Sequence, residues 1–77
     1  MNIAITTGAG TGIGRSAAQH LAQDGWTVVA AGRRLEPLQE TIASLEGDGH
    51  LALPADVADP SDVDALFAAT VKAFGPV

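Results

Sequence analysis

Seventy-seven residues, 47% hydrophobic and 17% charged, make a core-forming composition with room for one small domain or part of a larger one. Nine acids against four Lys and Arg leave a formal net charge of -5, which argues against non-specific nucleic-acid binding. The absence of cysteine excludes disulfides, thiolate metal sites and cysteine nucleophiles, and tyrosine is absent too.

The chain opens on a predicted strand, Asn2–Thr6, where Ile3, Ala4 and Ile5 run consecutively as in a strand covered on both faces. Met1–Gly14 is uncharged and broken by threonines and glycines, unlike a secretory leader, and no apolar run approaches the roughly 18–20 residues of a membrane helix. A cytoplasmic protein without a membrane partner is therefore expected.

A glycine-rich turn, Thr7 to Gly14, leads into a helix expected from about Ile13 to Asp24. Its apolar residues Ile13, Ala17, Ala18, Leu21 and Ala22 fall at helical spacing, and Gly25 marks its end. Trp26–Ala31, with Thr27, Val28 and Val29, reads as a second strand. A second helix is expected from about Glu36 to Leu45, with Leu35, Leu38, Ile42 and Leu45 as its stripe and Pro37 in its first turn. Gly47-Asp48-Gly49 breaks the chain before a short third strand, Leu51–Ala55, which Pro54 places near a sheet edge. The third helix opens at Asp59-Pro60: Asp59 suits the cap, Pro60 the first helical position, and Asp62 the positive helix end. Val63, Leu66, Phe67, Val71 and Phe74 form its apolar stripe, and Gly75-Pro76 ends it.

The order βαβαβα specifies an α/β fold with a parallel sheet and right-handed crossovers. Charge divides unevenly along it. Residues 1–34 hold Arg15, Arg33 and Arg34 against Asp24 alone, whereas residues 35–77 hold Lys72 against eight acids, read as solvated helix faces. His20 and His50 lie on separate elements without a suitably spaced partner, so no metal site is expected. Trp26, Phe67 and Phe74 are read as packing residues.

The sharpest feature is Thr7-Gly8-Ala9-Gly10-Thr11-Gly12-Ile13-Gly14 between the first strand and first helix. Gly8 lets the chain turn off the strand, Gly12 lets backbone approach a pyrophosphate, and Gly14 lets the helix pack close to the sheet. Free N–H groups and the positive dipole end at the helix start suit phosphates. Rival motifs fit less well. A Walker A loop would need lysine where Arg15 stands and glycine where Ala9 stands. G-x-G-x-x-G would need glycine at Ile13 or at Arg15. A methyltransferase-like acid-x-G-x-G-x-G loop aligns at Gly8, Gly10 and Gly12, but Thr6 occupies its acid position.

The pattern that matches is T-G-x-x-x-G-x-G, and with it the sequence resembles the short-chain dehydrogenase/reductase family over essentially all 77 residues. The resemblance extends to Val28-Val29-Ala30-Ala31-Gly32-Arg33-Arg34 at the second strand, Ala55-Asp56-Val57 at the third, and Phe74-Gly75-Pro76 at the last helix end. It implies a doubly wound Rossmann-like sheet and hydride transfer between NAD(P) and an alcohol or carbonyl substrate. It also implies that these residues are the N-terminal, cofactor-binding half of a longer, homo-oligomeric chain, with the family's fourth strand and its Ser, Tyr and Lys catalytic residues downstream.

The cofactor-binding residues implied are Gly8, Gly10, Thr11, Gly12, Ile13 and Gly14 at the turn, Arg33 and Arg34 after the second strand, and Asp56 and Val57 against the adenine. NAD-binding members place a ribose-binding acid at the position of Gly32; its absence beside Arg33 and Arg34 implies NADP over NAD. Thr11 departs from this pattern, because NADP-binding members often carry a basic residue there. Arg33 and Arg34 also read as solvated strand-end residues or partners of Glu36, Asp56 as a turn acid, and Arg15 as either solvated or phosphate-touching. A stand-alone nucleotide-binding or regulatory module, and an S-adenosylmethionine-dependent methyltransferase fragment, are the alternative functions.

Overall fold

The computed structural model describes residues 2–8 and 12–75. Three strands, β1 (Ile3–Thr7), β2 (Thr27–Gly32) and β3 (Leu51–Pro54), alternate with three helices, α1 (Gly12–Gln23), α2 (Leu35–Ala43) and α3 (Pro60–Phe74). The strands pair in the order β1-β2-β3, both pairs parallel, with Ala4 opposite Val28 and Ala30 opposite Ala52. Parallel pairing is what helical crossovers between successive strands require.

Period-two alternation along β2 builds two cores. Val28 packs with Ala18 and Ala22 of α1 and with Leu45, and Ala30 with Leu38 of α2. Val29 and Ala31 point the other way, into a cluster with Ala55, Leu66 and Phe74. Helices thus cover both faces of the sheet, α1 and α2 on one side and α3 on the other, as a doubly wound arrangement demands. Val28, Val29, Ala30 and Ala31 are fully buried. Burial of Leu38, also complete, contributes on the order of 1.5–3 kcal/mol.

The strand boundaries fall within one residue of expectation, but burial departs from it in instructive places. Ile3 and Ile5 are only half-buried, because among the described residues β1 has a hydrogen-bonded neighbour on one side alone. Pro54 does end an edge strand, and it is exposed. Helix α2 stops at Ala43: the Ser44 hydroxyl donates to the Thr41 carbonyl at 2.6 Å, and Leu45 is buried from beyond the helix. Leu35 is exposed instead of joining the stripe.

Along α3 the covered positions are Val63, Leu66, Thr70 and Phe74, while Phe67 and Val71 are about half exposed. Phe67 is therefore not a core residue. Thr70 is covered where the stripe has Val71, and it is fully buried with its hydroxyl donating to the Leu66 carbonyl at 2.9 Å. Thr41 on α2 does the same with the Pro37 carbonyl at 3.1 Å. A threonine that returns its hydroxyl to the preceding turn presents an almost apolar surface to the core.

Candidate functional site

The carboxyl ends of the strands converge on one cleft, as expected of an open α/β sheet. Its volume is about 460 Å³. The end of β1 contributes Gly8, and the end of β2 contributes Gly32, Arg33 and Arg34. The first turns of α2 contribute Pro37 and Leu38, and the segment after β3 contributes Ala55, Asp56, Val57 and Ala58.

Gly8 leaves the strand with φ of 66°, a left-handed conformation that glycine adopts without penalty. Helix α1 begins at Gly12, and its first turn carries no acid that would neutralise the positive end of its dipole. Ile13 is 89% exposed, so it is a residue of the turn's surface and not of the helix core stripe. Gly14 is half-buried in the same turn. Gly10 and Thr11 lie outside the described residues.

Gly32 sits over Leu38: a Cβ placed there would approach Leu38 Cδ2 to 3.2 Å, so the strand end passes close above the α2 side chain that floors the cleft. Beside it, Arg33 Nη2 lies 3.5 Å from Asp56 Oδ1, with the two side chains 75% and 43% exposed. The alternative pairing of Arg33 with Glu36 is not the one adopted. Asp56 also has a turn role, because Oδ1 accepts from the Ala58 N–H at 3.0 Å. Among the described residues Arg34 makes no ion pair. It occupies the N-cap position of α2, with no capping bond from its side chain. Val57 is half exposed at the cleft edge.

Arg15 turns away from the phosphate-binding reading. Its Nε donates to Thr41 Oγ1 at 3.1 Å and its Nη2 lies 3.5 Å from Glu40 Oε2, tying α1 to α2. His20 Nδ1 lies 2.8 Å from the Ser16 carbonyl in its own helix. Among the described residues no group of three His, Asp or Glu side chains is placed to hold a metal ion.

Two residues make backbone contacts that their sequence context does not show. Asp62, in the first turn of α3, accepts the Asp56 backbone N–H on Oδ2 at 2.9 Å, fixing the segment that carries Asp56 and Val57. His50 accepts the Val28 N–H on Nδ1 at 3.0 Å, and its Nε2 lies 2.7 Å from the Glu46 carbonyl. These two contacts specify the tautomer protonated at Nε2. Both residues act through the backbone of another element, and no local spacing marks such a contact. Asp59 does follow its sequence signal: it caps α3 by accepting from the Ser61 hydroxyl and N–H, which hold its carboxyl below the ordinary value of 3.8.

The comparisons with known proteins agree with this architecture. Residues 2–77 match the family model described as short chain dehydrogenase. An uncharacterized oxidoreductase of Staphylococcus aureus (strain MW2) is 41% identical over 73 residues, which are 95% of this chain and 32% of the relative. The alcohol dehydrogenase of the archaeon Thermococcus sibiricus, complexed with 5-hydroxy-NADP, superposes with a TM-score of 0.92 at 29% identity, covering 100% of this chain and 34% of that one. The 3-ketoacyl-(acyl-carrier-protein) reductase of Brucella melitensis, complexed with NADH, gives 0.90 at 36% identity over 99% of this chain and 31% of its own. The chain thus spans about a third of the length of the proteins it matches. On the family match and the layered βαβαβα fold together, this chain belongs to the short chain dehydrogenases.

Proposed function

We propose that these residues form the adenosine and pyrophosphate half of a nicotinamide dinucleotide site, in an oxidoreductase that prefers NADP and acts on an alcohol or carbonyl substrate. The observation that carries this reading is the set of charged groups at the cleft: two arginines at the end of β2, glycine and no acid at position 32, and the Asp56 carboxylate beside Arg33. A 2′-phosphate adds negative charge where Arg33 and Arg34 stand, whereas an acid at position 32 would repel it. The NADP derivative bound to the T. sibiricus enzyme supports this preference, and the NADH bound to the B. melitensis enzyme supports the broader assignment to a nicotinamide dinucleotide.

When bound, the dinucleotide supplies the hydride donor or acceptor. The residues of this chain bind and orient its far end. Gly8 opens the turn, and Gly10, Thr11, Gly12, Ile13 and Gly14 receive the pyrophosphate at the start of α1. Arg33 and Arg34 bind the 2′-phosphate; Asp56 and Val57 hold the adenine. The chain has no tyrosine, so a tyrosine acid/base is not among these residues. A cytoplasmic setting and a homo-oligomeric complete protein complete the reading.

The test is the ratio of NADP to NAD affinity in Arg33→Ala, measured by calorimetry. One charge-assisted bond to phosphate contributes roughly 1.5–3 kcal/mol. Because the Arg33 side chain is three-quarters exposed, a fall of about tenfold in the ratio, near the lower end of that range, is expected. An unchanged ratio removes Arg33 from the phosphate site.

A further inference from the structure

Within the cleft, Arg33 is already engaged. Its Nη2 lies 3.5 Å from Asp56 Oδ1, and that carboxylate is held from two directions, by the Ala58 N–H on Oδ1 and by the anchoring of the Asp56 backbone N–H on Asp62 Oδ2. The pair joins the end of β2 to the segment after β3, and both partners line the cleft. A hydrogen-bonded carboxylate opposite a mostly exposed guanidinium is an internal competitor for any anion that Arg33 receives.

Resting on the dinucleotide reading above, we propose that the Arg33–Asp56 ion pair is a discriminating element of the cleft, in which Asp56 opposes binding of a 2′-phosphate by holding Arg33 and by its own charge. A nucleotide without that phosphate leaves the pair intact, whereas one with it must draw Arg33 away from Asp56 or share it. Asp56 thereby limits the preference for NADP that Arg33 and Arg34 create. Asp62 acts through it as a positioning residue, because it fixes the backbone from which the carboxylate projects.

Asp56→Asn separates charge from shape. The amide oxygen still accepts from the Ala58 N–H and still faces the adenine side of the cleft, while the negative charge is lost. The probes are 2′,5′-ADP and 5′-ADP, titrated calorimetrically into the full-length protein, its Asp56→Asn variant, the Arg33→Ala variant and the double variant. Asp56→Asn is expected to raise the affinity ratio of 2′,5′-ADP to 5′-ADP by about two- to fivefold, the range an exposed ion pair spans. The same substitution in the Arg33→Ala background is expected to raise it less, because the competitor has lost its target. Raising the salt concentration should shrink the gain. An unchanged or lowered ratio in Asp56→Asn overturns the proposal while leaving the dinucleotide reading in place. A wild-type protein that binds neither probe overturns the dinucleotide reading, and this assignment with it.

Discussion

His50 gives the most direct test of how the sheet is held. In β2 the Thr27 N–H donates to Asn2 at 2.9 Å on the β1 side, so the next N–H, that of Val28, points towards β3. The ladder there begins only at Val29 opposite Leu51, and the imidazole of His50 stands in for the missing strand residue by accepting the Val28 N–H at 3.0 Å. Val28 is fully buried, so His50→Ala leaves its N–H without a partner at a cost of about 1–3 kcal/mol. Taking about 2 kcal/mol, the melting temperature of a protein about three times this length, as its relatives are, falls by roughly 4–8 °C. His50→Asn places an amide oxygen near the position of Nδ1 and is expected to recover more than half of the loss. Thermal and urea unfolding followed by circular dichroism read both variants. A His50→Ala melting point within about 2 °C of wild type, or a His50→Asn variant as unstable as the alanine, would refute the strand-mimic role.

Two further outcomes follow from the site and its flanking helix. Gly32→Asp places an acid beside Arg33, and the NADP to NAD affinity ratio is expected to fall by about tenfold or more. Its new Cβ, 3.2 Å from Leu38 Cδ2, is expected to lower stability by about 1 kcal/mol, and a retained NADP preference would contradict the placement of the 2′-phosphate. Asp59 is held below its ordinary pKa of 3.8 by the Ser61 hydroxyl and N–H, so folding favours its charged form. Its contribution is present above that value and is lost as pH falls through the lowered one. In Asp59→Ala, urea unfolding should therefore show a smaller loss of stability on acidification below pH 4 than in wild type; equal losses would remove the cap from the account.

The sequence determined the order of elements and the parallel sheet, because each rests on signals within a few residues. Strand runs, helical stripes, the Asp59-Pro60 start and the turn glycines all act through local backbone geometry. Only the tertiary structure decided which apolar residues are buried and which polar groups meet. Phe67 and Val71 lost to Thr70 because the face α3 presents depends on how it seats against Val29 and Ala31, and the Thr70 hydroxyl is satisfied within its own helix. Arg15 faces α2 and Arg33 faces Asp56 because the crossovers bring residues 26 and 23 positions apart into contact. The same holds for His50 on the Val28 N–H, 22 positions away. Such pairings depend on the register between elements, which periodicity within any one element leaves undetermined.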